Sequence, residues 1–196
     1  MNIWSIEEIN QFLDAAKGDY LYTAFFFAIM TGLRQGELLA LRWQDINFEK
    51  RLLSVRQTLQ HDGKKINKGA KTLKSIRTIA ISERTVEILE KHKLELESQK
   101  TDLMTSFENY DLVISSSAGK PINPRNLNRS FKRLINKAGV TDIRFHDLRH
   151  THVALMISQN EPVKLIAERL GHSKITTTMD TMAICYLICK RKQQIA

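Results

Sequence analysis

Apolar residues recur at helical spacing along most of the chain. Near the start, Glu8 stands three positions after Ser5, the pattern of a capped helix N-terminus, and apolar residues continue at helical spacing through Leu13. Similar periodicity between turn residues predicts further helices over 20–31, from Gln35, from Ser82 through Leu94, over 123–137, near 146–158, over 162–170 and from Ser173 onward. The chain is therefore expected to be mostly helical.

Two shorter segments have the composition of strands instead. Residues 52–58 and 77–81 are rich in β-branched and apolar residues, and a basic, glycine-containing stretch separates them. A small antiparallel sheet follows naturally from two such segments. The sequence thus predicts an α+β domain in which helices predominate.

Length and composition narrow the class of protein. The 196 residues suit one domain, and 42% apolar residues suffice for a core. The longest apolar run, 24–30, is too short to span a bilayer, and no signal-peptide pattern opens the chain, so a cytoplasmic protein without membrane contact is expected. Cys185 and Cys189 form neither a disulfide framework nor a zinc pattern.

Charge indicates the kind of partner. Lys and Arg number 30 against 21 Asp and Glu, a net charge of +9. Such a balance favours a polyanion, nucleic acid first, although charge alone leaves a merely soluble basic protein open.

The first candidate for chemistry is Arg34, in the segment Thr31-Gly32-Leu33-Arg34. An arginine at a helix start, just after a glycine break, is placed to bind phosphate, and Glu37, one turn on, is placed to orient it. The alternative is an exposed arginine with a surface ion pair, which contributes little.

The second candidate is the segment His146-Asp147-Leu148-Arg149-His150. His146 and Arg149 share a helix face at a spacing of three, and an imidazole beside a guanidinium suits a phosphodiester. A metal site formed by His146, His150 and His152 is the competing interpretation. It is disfavoured because no carboxylate or cysteine set follows at ligand spacing.

The third candidate is His172, in Leu170-Gly171-His172-Ser173. A helix ends on the glycine and another begins soon after, so His172 is expected on a turn, where functional side chains often lie. A single loop histidine carries little weight alone; the combination of the three segments carries the argument.

In this order and at these separations, Thr-Gly-Leu-Arg-x-Gly-Glu, His-x-x-Arg-His and Leu-Gly-His-Ser resemble the tyrosine recombinase (phage integrase) family, from Trp4 to about Thr181. The resemblance implies an integrase-like catalytic domain with a small three-stranded antiparallel sheet. It also implies site-specific DNA recombination or integration by strand cleavage and rejoining, in a bacterial or phage-encoded mobile element. Double-stranded DNA would be the partner, the full-length protein would self-associate into a tetramer on DNA, and no cofactor or metal would be needed.

The resemblance also assigns roles to residues. Those expected around the scissile phosphate are Arg34, His146, Arg149 and His172. A lysine on the hairpin between the strands would act as general acid; Lys71 aligns best and Lys74 is the second candidate. Lys71, Lys74 and Arg77 are expected to contact DNA, and Glu37 to support Arg34.

The chain departs from the family at the nucleophile. The family's ending places a tyrosine ten residues after the motif histidine, to form a 3′-phosphotyrosine, and here that position is Met182. Tyr186, one helical turn later at about 6 Å of axial rise, is the remaining candidate. We therefore expect a catalytic domain over 1–181, an atypical tail over 182–196, and no N-terminal core-binding domain.

One hypothesis accounts for the tail. Residues 182–185 can be encoded by ATG GCC ATT TGT, and moving the frame back by one base gives TAT GGC CAT TTG, or Tyr-Gly-His-Leu, an ending of the family's kind. A single lost base would then have removed the tyrosine; an intact tyrosine codon in the DNA would contradict this. The remaining alternatives are a non-catalytic DNA-binding derivative, a type IB topoisomerase-like enzyme, and a plain helical nucleic-acid-binding module.

Overall fold

The computed structural model describes residues 2–68, 76–102, 108, 110–172 and 174–195. Its helices are α1 (Ile6–Ala16), α2 (Tyr22–Thr31), α3 (Gln35–Leu39), α4 (Glu83–Asp102), α5 (Pro124–Ala138), α6 (Asp147–Ser158), α7 (Val163–Leu170) and α8 (Ile175–Ile195). Its strands are β1 (Ile46–Asn47), β2 (Leu52–Val55), β3 (Gln57–Leu59), β4 (Ile66–Lys68) and β5 (Arg77–Ala80), and a 3-10 helix spans Trp43–Asp45. The predicted mostly helical fold with a small antiparallel three-stranded sheet is confirmed.

The chain divides into two compact units. The helical unit comprises Met1–Arg34 and Ser130–Ala196, and the sheet unit comprises Gln35–Arg129. The helical unit holds α1, α2, α6, α7, α8 and most of α5, whereas the sheet unit holds the strands, α3 and α4. Arg34, His146, Arg149 and His172 all belong to the helical unit.

An aromatic cluster forms the core of the helical unit. Neighbouring rings lie 4.7–6.4 Å apart in tilted or edge-to-face pairs, the arrangement that aromatic rings prefer, among Trp4, Phe12, Phe25, Phe131 and Phe145. Helix α2 is buried on nearly all sides, as an almost wholly apolar helix must be. This burial makes α2 a rigid support for the residues that follow its C-terminal end.

Side-chain capping begins α1 and α4 at the residues that the sequence predicts. The Ser5 hydroxyl accepts from the Glu8 amide at 3.2 Å, and the Glu8 carboxylate accepts from the Ser5 amide at 2.9 Å, completing the capping box of α1. Ser82 accepts from the Thr85 amide at 3.3 Å at the start of α4.

In the parts of the chain that the structure describes, no helix combines the length and apolar character needed to cross a membrane.

The predicted strand over 52–58 proves to be two strands in two sheets. β2 lies between β1 and β5 in an antiparallel sheet, with Leu53 opposite Ile79, whereas β3 pairs with β4 in a separate antiparallel ribbon. Burial alternates without interruption through Leu53, Val55, Gln57 and Leu59, so the side-chain pattern carries no sign of the exchange of partner strands at Arg56. The β3–β4 ribbon and the two-residue β1 were not predicted.

Candidate functional site

The turn after α2 presents Arg34 to solvent. Gly32 ends the helix in the left-handed region, at φ +65°, and its amide donates to the Ala28 carbonyl at 3.0 Å. A Cβ on Gly32 would lie 2.6 Å from Cδ2 of His152 and 3.1 Å from Cδ2 of Leu170. Both the backbone conformation and the close packing therefore require glycine here, and Arg34 follows two residues later with an exposed side chain.

Arg149 connects this turn to the turn that carries His172. Its guanidinium is buried, with 5% of the residue exposed, and donates from Nη1 to the Gly32 carbonyl at 2.7 Å and from Nη2 to the Leu170 carbonyl at 2.5 Å. These carbonyls close the C-terminal ends of α2 and α7, where helix dipoles favour a cation. One buried charge thus holds two turns in a common neighbourhood.

His172 is oriented by the helix that follows it. α7 ends at Gly171 in the left-handed region, and the His172 amide then donates to the Ala167 carbonyl at 3.1 Å. Its ring Nδ1 lies 2.8 Å from the hydroxyl of Thr178, a fully buried residue of α8. The backbone of His172 is thus bonded to α7 and its half-buried imidazole to α8.

His146 lies directly before α6, beside the same charges. Its exposed ring stands edge-to-face on His150, with centroids 5.3 Å apart. Local desolvation lowers the pKa of His146, and the positive charge of Arg149 lowers it further. The charge of Arg34 also lowers the pKa of His146, which places Arg34 within electrostatic range of that ring. A neutral imidazole in such a place can donate a hydrogen bond or accept a proton near neutral pH.

These contacts bring four of the predicted residues together, and the chemistry they offer is recognition of a phosphate. Arg149 binds the turns of Arg34 and His172, and the charges of Arg149 and Arg34 reach His146. Guanidinium and imidazole donors can stabilise negative charge on phosphate oxygens. The individual catalytic roles remain predictions.

Two of the three predicted DNA-contacting residues lie outside the described part of the structure, and the third forms a buried ion pair. Lys71 and Lys74 fall in 69–75, outside the described residues. Arg77 was predicted to contact DNA, but its side chain is only 7% exposed and donates to both carboxylate oxygens of Glu37, at 3.0 and 2.8 Å. This buried ion pair favours a structural role for Arg77, and it gives Glu37 a partner that the sequence pattern did not suggest.

The predicted nucleophile position lies on α8. Met182 is partly buried and packs against an apolar cluster formed by Ile3, Val153, Met156, Ile166, Leu170 and Cys185. Tyr186 belongs to the same helix, and its side chain lies outside the described part of the structure. Its predicted function as an alternative nucleophile therefore stays a prediction.

Two residues near the site were missed by sequence reasoning. His152, considered only as a metal ligand, is buried and contacts the Ile29 carbonyl through Nδ1 at 2.9 Å. Arg169 donates from Nε to Nε2 of His152 at 3.0 Å and from Nη2 to the Met30 carbonyl at 3.1 Å. Within the described ranges, no group of three or more histidine, cysteine or acidic residues is arranged to hold a metal ion. Their positions in the sequence could have indicated both residues, because His152 stands three positions after Arg149 and Arg169 directly precedes Leu-Gly-His.

Comparison with known proteins identifies the family. Residues 4–182 match the model described as the phage integrase family. The chain is 35% identical over 188 residues to a XerC-like tyrosine recombinase of Caldanaerobacter subterraneus subsp. tengcongensis, covering 89% of this chain and 48% of the relative. It is 34% identical over 191 residues to the ICEBs1 integrase of Bacillus subtilis strain 168, covering 95% and 51%. The chain thus spans about half the length of these curated relatives.

Solved structures show the same fold. The Tn1549 transposon integrase in complex with transposon right end DNA aligns with a TM-score of 0.79 at 21% identity, over 92% of this chain and 61% of that one. XerA recombinase aligns with a TM-score of 0.74 at 22% identity, over 93% and 60%. The family match and the two relatives above 30% identity show that this chain belongs to the phage integrase family of tyrosine recombinases, as its motifs predicted.

Proposed function

We propose that this chain is the catalytic domain of a site-specific DNA recombinase, a class of enzyme that cleaves and rejoins double-stranded DNA through a 3′-phosphotyrosine, and that Met182 at the nucleophile position impairs cleavage here. The observation that carries the proposal is the buried Arg149, which binds the turn preceding Arg34 and the turn preceding His172. Family membership supports the reaction class. Self-association of the full-length protein into a tetramer on DNA is part of the same proposal.

The residues of the helical unit suit this chemistry. Attack on a phosphodiester increases negative charge on its nonbridging oxygens, and preorganised cations and hydrogen-bond donors stabilise that charge. Arg34 offers an exposed guanidinium, His146 offers an imidazole within its electrostatic range, and His172 offers an imidazole beside the helix end that Arg149 binds. In the proposed step a tyrosine oxygen bonds to phosphorus and gives its proton to the neutral imidazole of His146 or to solvent, while the bond from phosphorus to the 5′ oxygen breaks. Lys71, or Lys74 as the second candidate, gives that oxygen a proton, and the scheme needs neither metal nor nucleotide cofactor.

A second candidate function rests on Met182. A thioether cannot replace the phenol that forms the covalent intermediate, and Met182 packs against apolar residues of the helical unit. Tyr186 lies about 6 Å further along the helix axis, and a displacement of even ~1 Å can greatly reduce a reaction rate. This chain would then be a DNA-binding recombinase derivative that does not cleave.

Trapping on a nicked suicide substrate tests both candidates. The duplex carries the attachment site of the element that encodes the chain, nicked so that cleavage releases a short strand and cannot be reversed. We expect that the chain binds this duplex and forms no covalent adduct on a denaturing gel. Met182→Tyr should give an adduct, although a weak one, because the tail beyond position 182 also departs from the family pattern.

The control variant is Tyr186→Phe. An adduct formed by the unaltered chain and lost in Tyr186→Phe would identify Tyr186 as the nucleophile and contradict the second candidate. Absence of an adduct in a Met182→Tyr variant that is folded and bound to the duplex would count against the recombinase proposal itself.

A further inference from the structure

We propose that His152 and Arg169 form a clamp on the C-terminal end of α2 that positions Arg34 for its phosphate contact. The clamp is defined as these two side chains together with their hydrogen bonds to Ile29 and Met30. The inference rests on the proposed function, because it requires Arg34 to bind a DNA phosphate. It makes His152 and Arg169 positioning residues, which act through Arg34 and do not touch the substrate.

The first step concerns the carbonyl groups at the end of α2. The last carbonyls of a helix lack partners within the helix and must find donors elsewhere. Here the Ile29 carbonyl lies 2.9 Å from Nδ1 of His152, and the Met30 carbonyl accepts from Nη2 of Arg169 at 3.1 Å. The Gly32 carbonyl accepts from Arg149 at 2.7 Å. Side chains of α6 and α7 therefore bind this helix end at three successive points.

The second step concerns the state of the His152 ring. A carbonyl can only accept, so Nδ1 carries the proton, and Nε2 then accepts from Nε of Arg169 at 3.0 Å. Both contacts are satisfied only by a neutral imidazole with the proton on Nδ1. Burial lowers the pKa of His152 to about 3, and the charge of Arg169 adds to the effect, which agrees with this assignment. The guanidinium of Arg169 thus donates both to the His152 ring and to the Met30 carbonyl at the end of α2.

The third step connects the clamp to Arg34. The Arg149 hydrogen bond fixes the turn at the Gly32 carbonyl. The contacts at Ile29 and Met30 hold the last turn of α2 before it, and the His152 ring packs so closely on Gly32 that a Cβ there would lie 2.6 Å from it. Arg34 follows Gly32 by two residues, so the position of the turn determines the position of the Arg34 backbone. Phosphate recognition by a guanidinium depends on such placement.

A double-variant experiment tests the clamp. The chain is titrated against a short fluorescein-labelled DNA duplex by anisotropy over a series of salt concentrations, because each phosphate contact contributes about −0.9 to the slope of log K against log salt. We expect Arg34→Ala to make the slope less steep by about 0.9, the equivalent of one contact. Arg169→Met, which removes the donors and keeps the apolar stem, should have the same effect. The double variant should match either single variant, because both lose the same contact.

The matched control is Arg169→Lys, which keeps the positive charge and loses the fork that spans His152 and Met30. We expect it to behave as Arg169→Met does. A normal slope in Arg169→Lys would attribute the effect to charge alone, and a double variant that loses about twice 0.9 would mean that Arg169 itself binds phosphate; either result overturns the clamp. An unchanged slope in Arg169→Met, with Arg34→Ala altered, would assign Arg169 a purely structural role.

Two further outcomes complete the design. If Arg34→Ala leaves the slope unchanged, the phosphate site of the proposed function is wrong and the clamp falls with it. If Arg169→Met does not fold, as circular dichroism would reveal, His152→Asn replaces it. This variant keeps a donor for Ile29 and loses the acceptor for Arg169, and the clamp predicts the same reduction of slope.

Discussion

Acidification should destabilise this protein through His152. The pKa of its buried ring is lowered to about 3, first by desolvation and then by the charge of Arg169, whereas an unfolded histidine has a pKa of about 6.5. Between these values the unfolded chain binds a proton that the folded chain does not. The free energy of unfolding is therefore unaffected by this group above pH 6.5 and decreases as the pH falls from 6.5 towards 3.

The magnitude follows from the two pKa values. Going from pH 7 to pH 5, His152 alone should reduce the free energy of unfolding by about 2 kcal/mol, and each further unit towards pH 3 should cost about 1.4 kcal/mol. Burial also lowers the pKa values of His92, His146 and His150, so these histidines act in the same direction. A domain of this size has a total stability of about 5–15 kcal/mol, so the effect is readily measurable.

Urea unfolding, followed by circular dichroism at pH 7, 6 and 5, measures this effect, with His152→Asn as the matched variant. Asparagine can still donate to the Ile29 carbonyl but cannot take up a proton. The variant should be less stable at pH 7 because it removes the ring nitrogen that accepts from Nε of Arg169. Its loss of stability between pH 7 and pH 5 should be smaller than that of the unaltered chain by about 2 kcal/mol. Equal pH dependence in the two proteins would refute the assignment of a buried, neutral His152.

Three further outcomes are expected from substitution and binding measurements. Gly32→Ala should lower the free energy of unfolding by about 2–5 kcal/mol, because it places a Cβ in the left-handed region and against His152; a loss below about 1 kcal/mol in urea unfolding would contradict this. Glu37→Gln should cost about 3–5 kcal/mol by removing the carboxylate that pairs with the buried Arg77, and adding Arg77→Met should recover part of that loss, as thermal unfolding can test. The chain should bind duplex DNA with little sequence preference and with an affinity that falls as salt rises, by a slope of about −0.9 per phosphate contact; salt-independent binding would count against a phosphate interface.

Local sequence alone predicts the start of α1, the ends of α2 and α7 and the order of the motifs. The capping box of α1 and the left-handed glycines that end α2 and α7 arise from residues adjacent in the chain, so local sequence suffices to predict them. The same holds for the segments that carry Arg34, Arg149 and His172, because their spacing and order can be read directly from the sequence. This information was enough to predict the family and the mostly helical fold.

Tertiary structure decided which groups these side chains contact. Arg149 donates to carbonyls 117 and 21 residues away in sequence, and His152 contacts the Ile29 carbonyl 123 residues away. Arg77 pairs with Glu37 across 40 residues, and an unbroken alternation of burial conceals the exchange of partner strands at Arg56. Charge and periodicity specify what a residue can do, but packing in three dimensions selects its partner. For that reason the contacts of Arg149 and Arg77, both expected from the sequence to meet DNA, are known only from the structure, which shows two helix-end carbonyls beside Arg149 and the Glu37 carboxylate beside Arg77.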